Sequence, residues 1–400
     1  MLPEPVVAVE IGTSKVIALV GELREDNHVM ITGMGEHPSA GVRKGGITHL
    51  EHAGSCLKSA LAMAEESGRV AIREVHLAVT GSHIRSLINR GTVPVLDPDG
   101  EVTEEDAEEV MEVARAVNLP HDCEVLHTIC QHFTIDDQQR VIRPEGMEGR
   151  RLAVDMLVLY GIRNRLHSTI RVCRNVPVEV SDVVFSGLCS ALSVLTPEQK
   201  KSGVLVIDLG GGMTEYVAYA DNVVATAGTL GVGGDHVTND IVAAFNIPNA
   251  RAERLKRETG SAVSDPNAAG KRVSLAAEVG FPGRTFRLED LHTVINLRMD
   301  EVFMKIRKRL EEDRILHRLG AGVVLTGGGA HLRGIDVLAE QVFGVPCSVG
   351  KPRNISGLAT ATDGPEYATC SGLVHYGFRT GRGGRGRAGI KGIFRALLGG

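Results

Sequence analysis

The chain contains no tryptophan, and aromatic residues make up only 4% of its 400 residues. A platform for stacking nucleobases needs aromatic faces interleaved with basic residues, so no nucleic-acid partner is expected. The formal net charge of −5 removes any global attraction to nucleic acid as well. No apolar run reaches the roughly 18 residues that span a bilayer. The opening MLPEPVVAVE lacks a basic n-region and leads straight into a strand, so the body is expected to be cytoplasmic. The seven cysteines (56, 123, 130, 173, 189, 347 and 370) form no CxxC, and the fifteen histidines form no HxxxH or HExxH. That excludes a metal centre of histidines and cysteines and leaves reduced, mostly buried thiols. After Glu366 there is no acidic residue at all.

Glycine, by contrast, is abundant at 48 residues, and two glycine turns echo each other. EIGTSK (10 to 15) and DLGGGMTEY (208 to 216) each follow a β-branched run, place an acid at its end, then turn into a second apolar run. Gly12, Gly210, Gly211 and Gly212 let backbone N–H groups converge on an oxyanion, Lys15 and Met213 complete the turns, and Thr13, Ser14 and Thr214 add hydroxyl donors. Glu10 and Asp208 can hold a hydrated Mg²⁺ between them. Asp208 follows Glu10 by 198 residues in a chain of 400, the spacing of a doubled domain gripping one nucleotide.

A third turn, VVLTGGGA (323 to 330), offers Gly327, Gly328 and Gly329 to a flat purine ring. GVGGDHVTNDIVAAF (231 to 245) opens a helix after Gly233 and Gly234, and AERLKRETG (252 to 260) sets Glu253 and Lys256 on one helical face. As a surface ion pair alone, Glu253 and Lys256 would contribute under about 1 kcal/mol. Each glycine turn by itself is a weak signal. Their order and number make the strong one.

These segments resemble the actin-like ATPase superfamily, and a longer set resembles the FtsA family of bacterial cell-division proteins: KGGI near 44, LAVTGSHI, EVLHTICQHFTID, FSGLCSALSVLT, KPRNISGL and YATCSGLVHYG. The resemblance covers about residues 5 to 378. It implies an α/β fold of duplicated, ribonuclease H-like lobes around a nucleotide cleft. The first lobe (1A) would comprise 1–80 and 164–201, joined by a hinge helix at 366–378, with an α+β subdomain (1C) inserted at 81–163. The second lobe (2A) would comprise 202–247 and 321–365, with a smaller insert (2B) at 248–320. Residues 379–389 would form a flexible linker and 390–400 an amphipathic membrane-targeting helix.

The family likeness implies ATP and Mg²⁺ as cofactors, self-assembly into filaments, and anchoring of FtsZ filaments at the septum on the cytoplasmic face of the inner membrane. It puts the C-terminal peptide of FtsZ on the 248–320 insert, with Arg298 and Glu301 as contacts, and later division proteins on 81–163. The glutamate-rich segment TEEDAEEVMEVARAV in 81–163, opened by Thr103 with Asp106 near a capping-box position, is equally readable as a solvated helix face. Hydrolysis is expected to be slow or absent. Met213 stands where a hydroxyl is usual, leaving Thr214 or nothing to supply it, and FSGLCSALSVL has no carboxylate where MreB carries a water-orienting glutamate. A small-molecule kinase of the same fold is the alternative, although it would have no use for the tail.

That tail carries Arg379, Arg382, Arg385, Arg387, Lys391 and Arg395. GRGGRGRAG reads as a flexible linker. In IKGIFRALL, Ile390, Ile393, Phe394, Leu397 and Leu398 fall on one helical stripe flanked by Lys391 and Arg395, which suits an anionic membrane surface. Burying five apolar side chains barely offsets ordering nine residues, so a filament presenting many tails would supply the avidity. The helix could instead pack on the body, or the arginine-glycine run bind RNA, but no aromatic interleaves the arginines. Replacing Phe394 and Leu397 together by glutamate should release the chain from anionic vesicles in a flotation assay. Unchanged flotation would sink the membrane reading.

Overall fold

A computed structural model of the chain describes residues 4–25, 28–264, 269–277, 282–358 and 363–381. Most of the tail, including Ile390, Lys391, Ile393, Phe394, Arg395, Leu397 and Leu398, lies outside the described residues.

The first apolar runs form β1 (Val6–Ile11), β2 (Lys15–Leu23) and β3 (Val29–Pro38), followed by the short hairpin of β4 (Val42–Arg43) and β5 (Gly46–Ile47), then α1 (Leu50–Gly68) and β6 (Glu74–Val79). An insertion follows, with β7 (Arg85–Pro94), α2 (Glu104–Arg115), β8 (Cys123–Ile135), β9 (Gln139–Val141) and β10 (Arg151–Ile162). The chain returns to the first lobe through α3 (Arg163–Arg174), β11 (Glu179–Phe185), α4 (Ser186–Val194) and α5 (Pro197–Ser202). The second lobe has β12 (Val204–Leu209), β13 (Thr214–Ala220), β14 (Val223–Leu230), α6 (Gly234–Phe245), α7 (Asn249–Thr259), the hairpin β15 (Arg272–Leu275) and β16 (Arg284–Arg287), α8 (Leu288–Glu312), β17 (Val323–Thr326), α9 (Ile335–Phe343) and β18 (Cys347–Val349). β19 (Ile355–Gly357) and α10 (Ala368–Gly381) complete the described chain.

The duplication is explicit in the sheets. The first runs β11-β6-β1-β2-β3-β19 and the second β14-β13-β12-β17-β18. In each, the strand bearing the acid pairs antiparallel with the next strand and parallel with a later one, β1 with β2 and β6, β12 with β13 and β17. Even the register repeats. Glu10 faces Ile17 across its hairpin as Asp208 faces Glu215. The apolar run 204–207 that opens β12 is explained by burial on both faces: Val204 and Val206 join the core shared with α4 and α10, while Leu205, Ile207 and, past Asp208, Leu209 join the core under α6, α8 and α9.

The long helix α8 is amphipathic, with Leu291, Ile295, Met299, Val302, Ile306 and Leu310 buried at spacings of three and four, and it shares the second lobe's core. In the insertion, Thr103 and Asp106 form a reciprocal capping box that starts α2, and Ala107, Val110 and Ala114 press it onto the sheet.

Two boundaries differ from the sequence reading. Residues 355–357, expected in the second lobe, extend the first sheet, because β3 has a free edge and Ile355 pairs in parallel register with Val29. The hinge helix runs to Gly381, beyond 378, so the expected linker begins as its last turn.

One neutral histidine ties the insertion to the first lobe and a second closes the insertion's own base. His127 of β8 accepts from the Phe185 N–H of β11 at 2.9 Å, and His83 accepts from the Ile162 N–H at 3.3 Å. Burial pushes both rings down to about 4, aided at His83 by Arg165 and opposed at His127 by Asp182. A depressed histidine contributes stability that is present above its unfolded value near 6.5 and lost as pH falls towards the folded value. The protein should therefore lose up to about 1.4 kcal/mol per pH unit for each histidine across that window. His127→Gln, which keeps an acceptor for Phe185, should flatten the acid limb in urea titrations. An unchanged pH slope in that variant would show that His127 does not control it.

Candidate functional site

Each glycine turn closes with the same bond: the Gly12 N–H donates to the Lys15 carbonyl at 3.0 Å and the Gly210 N–H to the Met213 carbonyl at 2.9 Å. The two tips meet across the cleft between the lobes. A Cβ on Gly212 would lie 2.6 Å from the Thr13 Oγ1 and 3.1 Å from the Lys44 Cα, so only glycine permits this approach. From behind, α6 supports the second turn, its Gly234 and Asp235 N–H groups donating to the Gly210 and Gly211 carbonyls at 3.0 and 2.8 Å, with Gly233 packed on the same carbonyls.

The third turn follows β17. Gly327, at φ +80°, has its would-be Cβ directed at the Asp208 carboxylate, and Gly329 presses on Leu209. Only Gly328 presents a bare face, with nothing nearer to an added Cβ than the Glu366 Cβ at 4.0 Å. Of the three glycines, Gly328 is therefore the one able to approach a ring. The others are needed to seat the turn on β12.

Three carboxylates converge where these turns meet, Glu215 buried and Glu10 and Asp208 half-buried. Burial, then the charges of Asp208 and Glu215, push Glu10 up to about 8. Glu215 rises to about 8 for the same reason, burial first and Asp208 second, and burial raises Asp208 as well. Hydroxyls answer Asp208 and Glu215. Ser190 and Thr369 donate to the Asp208 Oδ2 at 2.5 and 3.2 Å, while Ser186 at 2.7 Å and Thr80 donate to the Glu215 Oε1. Glu215 belongs to the second lobe and both its donors to the first, so it ties the lobes together.

Several candidate residues are engaged within the protein. Lys15 pairs with Glu36 at 2.8 Å and lies 4.2 Å from the Tyr367 ring centre. Thr214 is fully buried and donates to the Val232 carbonyl at 2.8 Å, so the substitution of its hydroxyl for the one absent at Met213 does not occur here. Lys256 pairs with Glu253 at 2.7 Å and also reaches Thr238 and the Gly234 carbonyl, which anchors the start of α6 and makes the pair more than a surface contact. Arg298 and Glu301 pair with each other, and Arg298 grips Asp240 in a bidentate pair at 2.6 and 2.9 Å. The sequence reading passed over Glu215, Thr80, Ser186, Ser190 and Thr369. For Glu215 a signal existed, since aligning the two hairpins sets it opposite Ile17 of the first copy.

The donor set suits a nucleotide with a hydrated divalent cation. Carboxylates held above their usual range gain from a nearby cation.

Two lobes with matching strand orders, closed on paired glycine turns, define an actin-like fold, and solved structures agree. The PilM–PilN type IV pilus biogenesis complex superposes with a TM-score of 0.63 at 17% identity, over 92% of this chain and 97% of that one. MreB5 of Spiroplasma citri bound to ADP gives a TM-score of 0.55 at 15% identity, over 99% of both. A family model described as "Cell division protein FtsA" matches residues 205–372, and one described as "SHS2 domain inserted in FTSA" matches 81–160. Cell division protein FtsA of Pseudomonas aeruginosa is 34% identical over 374 residues, which is 94% of this chain and 89% of its own length. The Escherichia coli K12 protein of the same name is 34% identical over 379 residues, 93% and 90% of the two lengths. The chain belongs to the FtsA family of cell-division proteins.

The hydroxyl clamp on Glu215 is testable. Ser186→Ala leaves a buried carboxylate short of a donor and should cost about 1–3 kcal/mol, read as a lower urea midpoint at unchanged slope. Glu215→Gln should cost less, because its amide oxygen still accepts from Ser186. If Ser186→Ala is neutral, that hydroxyl does not anchor Glu215.

Proposed function

We propose that this chain is an ATP-binding cell-division protein that assembles into filaments on the cytoplasmic face of the inner membrane at the septum and anchors FtsZ filaments there. The observation that carries the nucleotide reading is the meeting of two equivalent turns, each with an acid at the end of its leading strand, at the joint between the lobes. Backbone amides at the tips would hold the phosphates, Glu10 and Asp208 would orient the water shell of Mg²⁺, and Gly328 would lie under the purine. Bound Mg²⁺ would supply charge neutralisation of the phosphates.

Turnover is slow or absent in this reading. α4 carries no carboxylate, and the acids nearby already accept hydrogen bonds from Ser186, Ser190, Thr80 and Thr369.

FtsZ would approach the 248–320 insert, where α8 exposes Leu297 and Met304 beside Arg298 and Glu301. Because Arg298 is already paired, an acidic peptide would exchange partners there instead of meeting a lone cation, and its affinity would rest more on apolar contact. Later division proteins would use 81–163. The basic, apolar tail would bring the assembly to the membrane; among the described residues no helix is long and apolar enough to cross one.

Titrations with ATP and Mg²⁺ test the core of this reading. Asp208→Ala and Gly328→Glu should each weaken ATP binding at least about tenfold, the first by loss of the cation's anchor and the second by filling the ring face. The intact protein should bind ATP far more readily than it hydrolyses it. Rapid multiple turnover by the purified chain would overturn the assignment of slow chemistry.

A further inference from the structure

The hairpin β4–β5 turns through only two residues, Lys44 and Gly45, between the paired Arg43 and Gly46. Both have positive φ, +50° and +67°. That is the type I′ geometry, whose first position favours asparagine, aspartate or glycine. Nothing in the local backbone calls for lysine there, so its side chain needs another reason.

The tip is held firmly at the mouth of the cleft. The Thr48 and His49 N–H groups donate to the Gly41 carbonyl at 2.8 and 3.0 Å, and the Gly45 N–H donates to the Thr13 Oγ1 at 3.1 Å. A Cβ on Gly45 would lie 2.8 Å from the Thr80 Cγ2. The hairpin thus rests on the first glycine turn, while the Lys44 Cα lies against Gly212 of the second and its Cδ approaches Gly231. Three lysines border this region. Lys15 is tied to Glu36, and Lys256 to Glu253 and Thr238. Among the described residues, Lys44 makes no side-chain hydrogen bond or ion pair.

We propose that Lys44 is a polyphosphate-binding residue, placing its ammonium on the terminal phosphate of a nucleoside triphosphate where the two turns meet. The proposal rests on the nucleotide reading of the cleft. It adds a cation from the first lobe that reaches the second lobe's turn, and so favours the triphosphate, whose extra phosphate carries the charge that a diphosphate lacks. The charge is already felt there: the His236 ring is lowered first by burial and then by Lys44 and Arg298.

The test uses the full chain, titrated with ATP and with ADP in Mg²⁺ at low and high salt. Lys44→Asn removes the charge but suits the turn, so it should fold and melt at or above the wild-type temperature. It should lose about tenfold in ATP affinity, lose less than about threefold for ADP, and show a shallower salt dependence for ATP. Lys44→Arg should retain most of the preference for ATP. Equal weakening of both nucleotides would mean a structural role and overturn the proposal, as would an unchanged ATP-to-ADP ratio. If the wild-type chain binds neither nucleotide, the nucleotide reading fails and the proposal with it. If it binds both and Lys44→Asn behaves the same, only the assignment of Lys44 fails.

Discussion

Crowding Glu10, Asp208 and Glu215 together between the lobes costs free energy that directed donors, a cation or an added proton must offset. Much of the surrounding architecture serves that requirement. α4 supplies Ser186 and Ser190 from one side, and both are nearly inaccessible to solvent. A serine-rich helix between two sheets would otherwise be a poor choice, since its hydroxyls need partners in an apolar setting. Here carboxylates are the partners of Ser186 and Ser190. Because donors and acceptors come from different lobes, the same hydrogen bonds that satisfy the acids also hold the lobes in register.

The segment 365–370 adds a second constraint, because it touches all three glycine turns. The Pro365 carbonyl accepts from the Gly327 N–H at 3.1 Å and from the Thr326 hydroxyl at 3.0 Å. Glu366 pairs with His331 at 2.6 Å, Tyr367 donates to Glu36, the partner of Lys15, and Thr369 donates to Asp208. The Cys370 thiol lies 3.8 Å from the Glu10 carboxylate. Thr369 and Cys370 already belong to the first turn of α10, whose Gly372 packs against the Cys189 carbonyl of α4. The helix leading to the basic tail is therefore built onto the floor of the cleft and not onto the periphery.

The parts of this design that follow local rules were legible in the sequence. The glycine turns, the capping box at Thr103 and Asp106, and the apolar stripe of α8 each depend on residues a few positions apart, where turn chemistry and periodicity decide the outcome. What was not legible depends on distant partners. Nothing near Lys15 announces Glu36, and nothing near Thr214 announces the Val232 carbonyl that takes its hydroxyl. β19 has only three residues, too few for a period to register, and its place is set by the open edge of β3. Glu215 lies between these cases: invisible as a single residue, yet exposed by comparing the two copies, because an acid replaces the buried Ile17.

That comparison also explains why the duplicated turns have diverged. The first turn carries side chains at its tip, Thr13 and Ser14, while the second carries only glycines, Gly211 and Gly212. A Cβ on Gly211 would meet the Ser14 Cβ at 3.3 Å, and one on Gly212 would crowd the Thr13 hydroxyl more closely still. Two tips both bearing side chains could not close to this distance without moving the sheets apart, and separating the sheets would strip Glu215 of Thr80 and Ser186. The asymmetry is thus a packing consequence of a symmetric scaffold. One copy keeps the hydroxyls and the other gives up its side chains to receive them.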